Sequence, residues 1–565
     1  MKTAAFVACL TMFATPALAG DPPPGMGQMG HMMHPMPSVY MGQADKAGAP
    51  VFKGLGSHRH PITTRNPQTQ AYFDQGVNLL FGFNHAEAIR SFREAARLDP
   101  DCAMCWWGVA VALGPNINLP MPPDAVAPAW EALEKARALA PKASAEERAW
   151  IEALAARYSS DPKADRKALD EAYAQAMGRL WQAWPNDLDA GTFYAEAMMD
   201  TQPWDYWAAD ARTPKGHGGE IIATLEDILK REPNHPGALH LYIHAVEAST
   251  TPERAEAAAD RLLTLMPEAG HVVHMPSHIY YRVGRYADAV RVNDLAARVD
   301  EDYIASCRAQ GFYPAGYYGH NIHFLWTSSE MEGRRQAAID ASRRLVKAVD
   351  AVELAKMLPM GELYVFTPLV TLVRFGQWDA VKAEPAPPPA LKLDTAVWLY
   401  AQAFARANTG DLKGALAARE QLAALDATDL SAYEAAGVPA KPMVDLALAL
   451  TDGEIARKSG SLDGAIVRFR QAAQIEHALP YTEPPWWHQP VSHLLGAALV
   501  ERGDYKEAEA VYRESLKSYR RDGWALYGLA KALDAQGKQA EAAAVRADFQ
   551  DAWRVADVTL TASRF

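Results

Sequence analysis

Histidines recur in this chain at a fixed spacing. His240 and His244 are four residues apart, His274 and His278 are four apart, and the second pair follows the first by 34 residues. Residues four apart share one face of a helix, so each pair can present two imidazoles to one point. His271, His320 and His323 lie in the same stretch, and Glu247 follows His244 by three residues. Neutral imidazole binds zinc, copper, iron and nickel. A carboxylate one turn away can serve as a ligand, as a partner that orients an imidazole, or as a general base. The set exceeds what one tetrahedral ion needs. The surplus allows two ions, or one ion with free imidazoles that handle substrate protons. Without metal, the same residues make acid–base machinery or a pH-sensitive ligand site.

Taken singly, each of these histidines is better read as a packing or surface residue. Histidine is 17 of 565 residues, so filling four named slots by chance has odds on the order of one in a million, before allowing for the choice of slots. The register therefore points to a shared role, and metal binding is its leading form.

Other segments carry weaker signals. Met26, Met29, His31, Met32, Met33, His34, Met36 and Met41 crowd a stretch with little else to build a core. Thioether with imidazole suits Cu(I), and biased low-complexity sequence is the alternative. Cys102 and Cys105 precede Trp106, where a covalent haem motif would need His. They read as a local disulfide, as two packed thiols, or as a metal or redox pair at a helix N-terminus. Tyr481 to His488 holds Trp486 and Trp487, either a loop plug or an aromatic ligand wall. Tyr280, Tyr313, Tyr317, Tyr318 and Asn321 flank the histidines, with packing the better reading for each. His240 and His244 have zinc-protease spacing, but Leu241 stands where the catalytic Glu would be. No phosphate-binding Gly loop or serine elbow occurs.

The elements that must position the histidines are helical. From about residue 70 the chain reads as Ala-rich amphipathic helices joined by short turns, with almost no strand signal. Gly76, Ala88, Phe92, Ala95 and the closing Asp99-Pro100 form one helix-turn-helix unit. Similar turns recur at Gly284, Gly333, Gly376, Gly410, Gly460, Gly503 and Gly537, and the intervals Gly376–Gly410 and Gly503–Gly537 are both 34 residues. This pattern resembles the tetratricopeptide-repeat (TPR) superfamily over most of the chain. The whole chain also resembles exported bacterial TPR proteins of unassigned activity.

The resemblance implies an all-α TPR-type solenoid with a concave groove. In that family, positions 2, 5 and 9 of the first helix of a repeat line the groove. Counting repeats from Pro236, Gly270 and Gly319 puts His240, His274 and His323 at position 5. The same count puts His244 and His278 at position 9, and His271 and His320 at position 2. His493 takes position 5 of a later repeat. The groove is thus expected to hold copper or zinc, with Glu247 as a candidate catalytic carboxylate. Phe312 to Tyr318 falls in an insertion that can cover it. The alternative is a scaffold whose groove takes a peptide, a small molecule or a partner protein.

Residues 1–19 read as a secretory leader, with Lys2, an apolar run and an Ala-Leu-Ala cleavage site. This predicts a periplasmic or secreted protein without a membrane span. Losing Lys2 takes the formal charge from −12 to −13, which argues against nucleic acid. Residues 20–60 read as a flexible Met/His-rich tail, 61–384 as a first array carrying the histidines, and 385–565 as a second array.

Overall fold

The computed structural model describes residues 40, 44–46, 48–307, 309, 312–426 and 428–565. The leader and the Met/His stretch through residue 39, with Met41, lie outside the described residues. Among the described residues the fold is all-helical, with isolated bridges at Asn116–Leu119 and Trp207–Pro214 in place of strands. No helix is long and apolar enough to cross a membrane.

Consecutive helices pack as antiparallel hairpins along the chain. Those that build the site are α1 (Pro67–Phe81), α2 (Pro236–Val246), α3 (Gly270–His274), α4 (Pro276–Val283), α5 (Tyr286–Cys307) and α6 (Gly319–Met331). Local chemistry sets their starts. Asn66 caps α1 by accepting from the Gln68 N–H, and Pro67 fills the first turn, where no donor is needed. His235 caps α2 through Ala238 N–H in the same way, ahead of Pro236. Pro276 cannot donate into the ladder and splits α3 from α4, yet Met275 between them keeps right-handed helical angles. The turn glycines 284, 333, 376, 410, 460, 503 and 537 all have φ between 63° and 93°, the left-handed conformation that closes a helix.

The array closes on itself. Trp524 Nε1 donates to Glu330 O at 3.1 Å, Arg520 pairs with Glu253 at 3.0 Å, and the Arg335 N–H donates to Asp557 at 2.7 Å. The C-terminal hairpins therefore sit on residues 250–336. One apolar core runs from Val290 to Leu560 and crosses the Pro-rich segment at 385–390 without a break. What the sequence reads as an open groove is a covered interior. Residues 48–60, which composition groups with a tail, pack along the first hairpins. Phe52 N–H donates to Gln75 Oε1 at 3.0 Å, and Asn78 donates to His58 O at 3.0 Å. Cys102 and Cys105 form a disulfide, and Cys307 is a buried free thiol.

Candidate metal centre

Helices α2, α3 and α6 begin at Pro236, Gly270 and Gly319, the residues from which the register was counted. Gly237 lets α2 reach the end of α1, because a Cβ there would lie 2.6 Å from the Phe81 ring. That approach brings His240 Nδ1 to 2.6 Å from the Phe81 carbonyl. His240, His244, His271, His274 and His278 are all at most 3% exposed. Their ring nitrogens gather into two adjacent triads. His240, His244 and His271 form one, and His274, His278 and His320 form the other; within each, the nitrogens lie within 4.8 Å of one another.

The hydrogen bonds fix which nitrogens face inward. His240 Nδ1 donates to the Phe81 carbonyl, which can only accept. His244 Nδ1 donates to Glu247 Oε1 at 2.8 Å. His274 Nδ1 donates to Asn293 Oδ1 at 2.6 Å, and the Asn293 amide is oriented by its own donation to Ala289 O at 2.7 Å. His278 Nδ1 donates to Glu483 Oε2 at 3.1 Å and lies 2.5 Å from Glu247 Oε2. Each neutral ring that spends its proton on Nδ1 keeps a lone pair on Nε2. His244 Nε2 is buried with no hydrogen-bond partner. His240 Nε2 lies 3.2 Å from His271 Nε2, and His274 Nε2 lies 2.9 Å from His278 Nε2.

Two lone pairs 2.9 Å apart require a positive charge between them. A proton on His278 supplies one. Burial opposes that proton, but the charge and hydrogen bonds of Glu247 and Glu483 outweigh it and push His278 up to about 10. A metal ion is the other candidate, and the geometry fits one. Ligand nitrogens about 2.0–2.1 Å from an ion subtend roughly 90–100° when they are this far apart. His240, His244, His271, His274 and His320 are held well below the usual histidine range, first by burial and then by positive charge on neighbouring histidines, His278 among them. They stay neutral, as ligands must, and an ion at the second triad would have to displace the proton of His278. The far nitrogens of His240, His244, His274 and His278 already rest on a carbonyl, an amide and carboxylates, the support that metal-bound imidazoles require, while His271 Nδ1 is buried without a partner.

Glu247 spans the two triads from behind, one oxygen on His244 and the other against His278. Of the roles open to it, this geometry is that of an orienting carboxylate. Glu483 reaches the site from more than 200 residues downstream, and Tyr481 donates to it. Phe83 covers the first triad, its ring 4.5 Å from His240 and 5.5 Å from His271. It does so at φ 57°, a left-handed conformation that costs a bulky residue roughly 1–2 kcal/mol. Tyr317, in the insertion, packs against His271 with ring centroids 4.6 Å apart and the planes tilted by 53°.

Of the two candidate ligands on α6, His320 joins the second triad and His323 joins neither. The His323 ring stacks flat on Trp326 at 5.1 Å instead. Among the flanking residues only Tyr317 touches the centre. Tyr280 donates to Asp260, Tyr313 and Asn321 to Asp300, and Tyr318 to Glu301. His493 bonds Asp522, the cap of a C-terminal helix, and takes no part.

Sequence reasoning missed Glu483 and a second cluster. His58, His60 and His235 surround Asp189, with N···O distances of 3.0, 2.7 and 3.0 Å. They line an open cleft of about 1310 Å³ with Trp150 and Asp187. The chemistry there differs. His235 Nδ1 accepts from Ala238 N–H, so its Nε2 carries the proton and donates to Asp189. A metal on that nitrogen would have to displace the proton and leave an imidazolate. Burial raises the Asp189 carboxyl, but bonds from His235, His58 and His60 hold it well below the usual carboxylate range. This cluster ties the 48–60 segment to the array. Only the spacing His58-x-His60 marks it in the sequence, and its partners are more than 120 residues away.

The tetratricopeptide-repeat family model matches residues 490–522, the repeat whose two helices meet at Gly503. No curated protein matches the chain. Among solved structures, a human IFIT1 dimer with m7Gppp-AAAA is similar at 14% identity, covering 88% of this chain and 92% of that one, with a TM-score of 0.31. Yeast Tom70 is similar at 10% identity, covering 84% and 90%, with a TM-score of 0.29. The repeat match at 490–522, within a chain of helical hairpins closed by left-handed glycines, identifies this protein as a member of the tetratricopeptide-repeat superfamily.

Proposed function

We propose that this chain is an exported metal-binding TPR protein whose buried interior holds a pair of transition-metal ions, copper or zinc. One ion belongs to His240, His244 and His271, the other to His274, His278 and His320. The observation that carries the reading is the pair of inward Nε2 atoms of His274 and His278, 2.9 Å apart, with each Nδ1 bonded to an oxygen acceptor. The unpartnered Nε2 of His244 supports the same reading for the other triad. All-imidazole donor sets suit copper and zinc. The leader supports placement in the periplasm or outside the cell. A metalloenzyme also needs an open coordination position. Three imidazoles leave a tetrahedral ion one such position, and His320, the only partly exposed histidine of the two triads, puts the second ion nearest solvent.

The test is metal analysis of protein exported through its own leader and purified without an affinity tag. Close to two equivalents of copper or zinc are expected, with a loss of at least half in His240→Ala/His274→Ala. Trace metal that the double variant retains unchanged overturns the reading. A second reading is a scaffold for a peptide or partner protein, and the open cleft beside His58 and His60 favours it. Peptide binding that survives full loss of metal would support that alternative.

A further inference from the structure

A small chamber adjoins the second triad. It lies between α6, residues 360–366 and the loop 482–488, and has a volume of about 60 Å³. His320, His323 and Glu483 are among its lining residues, so it touches one proposed ligand directly and the carboxylate behind His278. Leu363, Phe366 and Trp486 supply apolar walls. The loop side is held in place. Arg374 donates to the His488 carbonyl at 2.6 Å, and Trp486 Nε1 donates to Pro480 O at 2.9 Å.

Two features say what the chamber takes. The first is an unanswered polar group. His488 lines the chamber and is 7% exposed, and neither of its ring nitrogens has a hydrogen-bond partner. Leaving a buried polar group unmet costs roughly 1–3 kcal/mol, and a neutral imidazole offers one donor and one acceptor. The second is size and charge. Benzene needs a cavity of about 150 Å³, and one water occupies about 30 Å³ of liquid, so this chamber holds a molecule of about two or three heavy atoms. No Lys or Arg lines it, and its one carboxylate is committed to His278 and Tyr481. An anion would find no counter-charge there.

Resting on the metal reading above, we infer that this chamber is the ligand port of the centre and admits a neutral oxygen species of the dioxygen or hydrogen peroxide kind. The ligand reaches the ion beside His320, with the His488 ring forming part of the wall. The first triad is covered by Phe83 and Tyr317.

The experiment uses the full chain loaded with Cu(I) and carbon monoxide as a neutral diatomic probe, read by the infrared C–O stretch. One copper-bound carbon monoxide per chain is expected. Leu363→Trp fills the chamber and should weaken binding at least tenfold with copper content unchanged. His488→Phe should shift the C–O band. Leu363→Ala widens the chamber and should admit ethyl isocyanide, which the parent excludes. Equal carbon monoxide affinity in the parent and in Leu363→Trp, both holding full copper, overturns the port. If Leu363→Trp does not fold, exclusion of ethyl isocyanide by both the parent and Leu363→Ala overturns it instead. A parent that holds no copper overturns the metal reading, and metal analysis detects that before any gas is added.

Discussion

Glu247→Gln tests the centre most directly, because one carboxylate supports both triads. In the parent, Oε1 accepts from His244 at 2.8 Å and Oε2 faces His278 at 2.5 Å. An amide of the same shape has one acceptor oxygen, and its NH₂ then faces the other Nδ1–H. One imidazole therefore loses its acceptor, and the other keeps a neutral bond. Bonds to a charged group are worth roughly 1.5–3 kcal/mol. Removing such a partner from a metal-bound imidazole typically weakens metal binding about 10–100-fold, or about 1.4–2.7 kcal/mol. His278 retains Glu483. The single variant should thus weaken one ion by that factor and leave the other within a few-fold. Adding Glu483→Gln should weaken the second ion as well. Stepwise dissociation constants from competition with a chromophoric chelator measure both. If neither constant moves by as much as threefold in the double variant, the carboxylates do not hold the imidazoles and the reasoning fails.

Other consequences follow from the same contacts. Asp189→Asn removes the charge and one of the two acceptor oxygens that three imidazoles share, and should cost about 3–5 kcal/mol, seen as a lower melting temperature with metal content intact; loss of metal would mean the two clusters are one site. Gly237→Ala would set a Cβ 2.6 Å from the Phe81 ring, so it should cost about 1–3 kcal/mol and also weaken the His240 ion, both read by calorimetry with and without metal. Glu454 is fully buried and bonded by Arg564 and Arg457; burial raises its carboxyl, but the two guanidiniums bring it down to about 2. Its folded value lies below the unfolded one, so the stability it contributes is present above about pH 4.5 and is lost as pH falls toward 2. The loss should approach roughly 3 kcal/mol, and Glu454→Gln should flatten that acid limb. Chelation should lower the melting temperature of the parent, since ligand at about 100 times its dissociation constant stabilises by about 2.7 kcal/mol; a curve insensitive to chelator would contradict a bound pair.

Much of the centre was legible in order, because helices repeat with a fixed rise. Once Pro236, Gly270 and Gly319 are taken as starts, the helical period carries His240, His244, His274 and His278 to one face, and the helices do begin there. The turn glycines were readable for a similar reason: a helix that must reverse within two residues needs a left-handed residue, and glycine adopts it without penalty. His323 holds the counted position 5 of α6 but joins neither triad, because its ring lies flat on Trp326 of the same helix.

The sequence by itself determined an all-helical array and the local register of all six triad imidazoles, because both depend on residues within one or two helical turns. Only tertiary structure decided that the groove is closed, that of His320 and His323 it is His320 that joins the second triad, and that Glu483 and the chamber at His488 belong to the site. Those features are contacts between residues up to 205 positions apart. They depend on the summed rotations of many hairpins, and no local spacing encodes that sum. The protonation pattern, with Nδ1 bonded outward and Nε2 left bare, likewise exists only once the carbonyl of Phe81 and the carboxylates of Glu247 and Glu483 are in place.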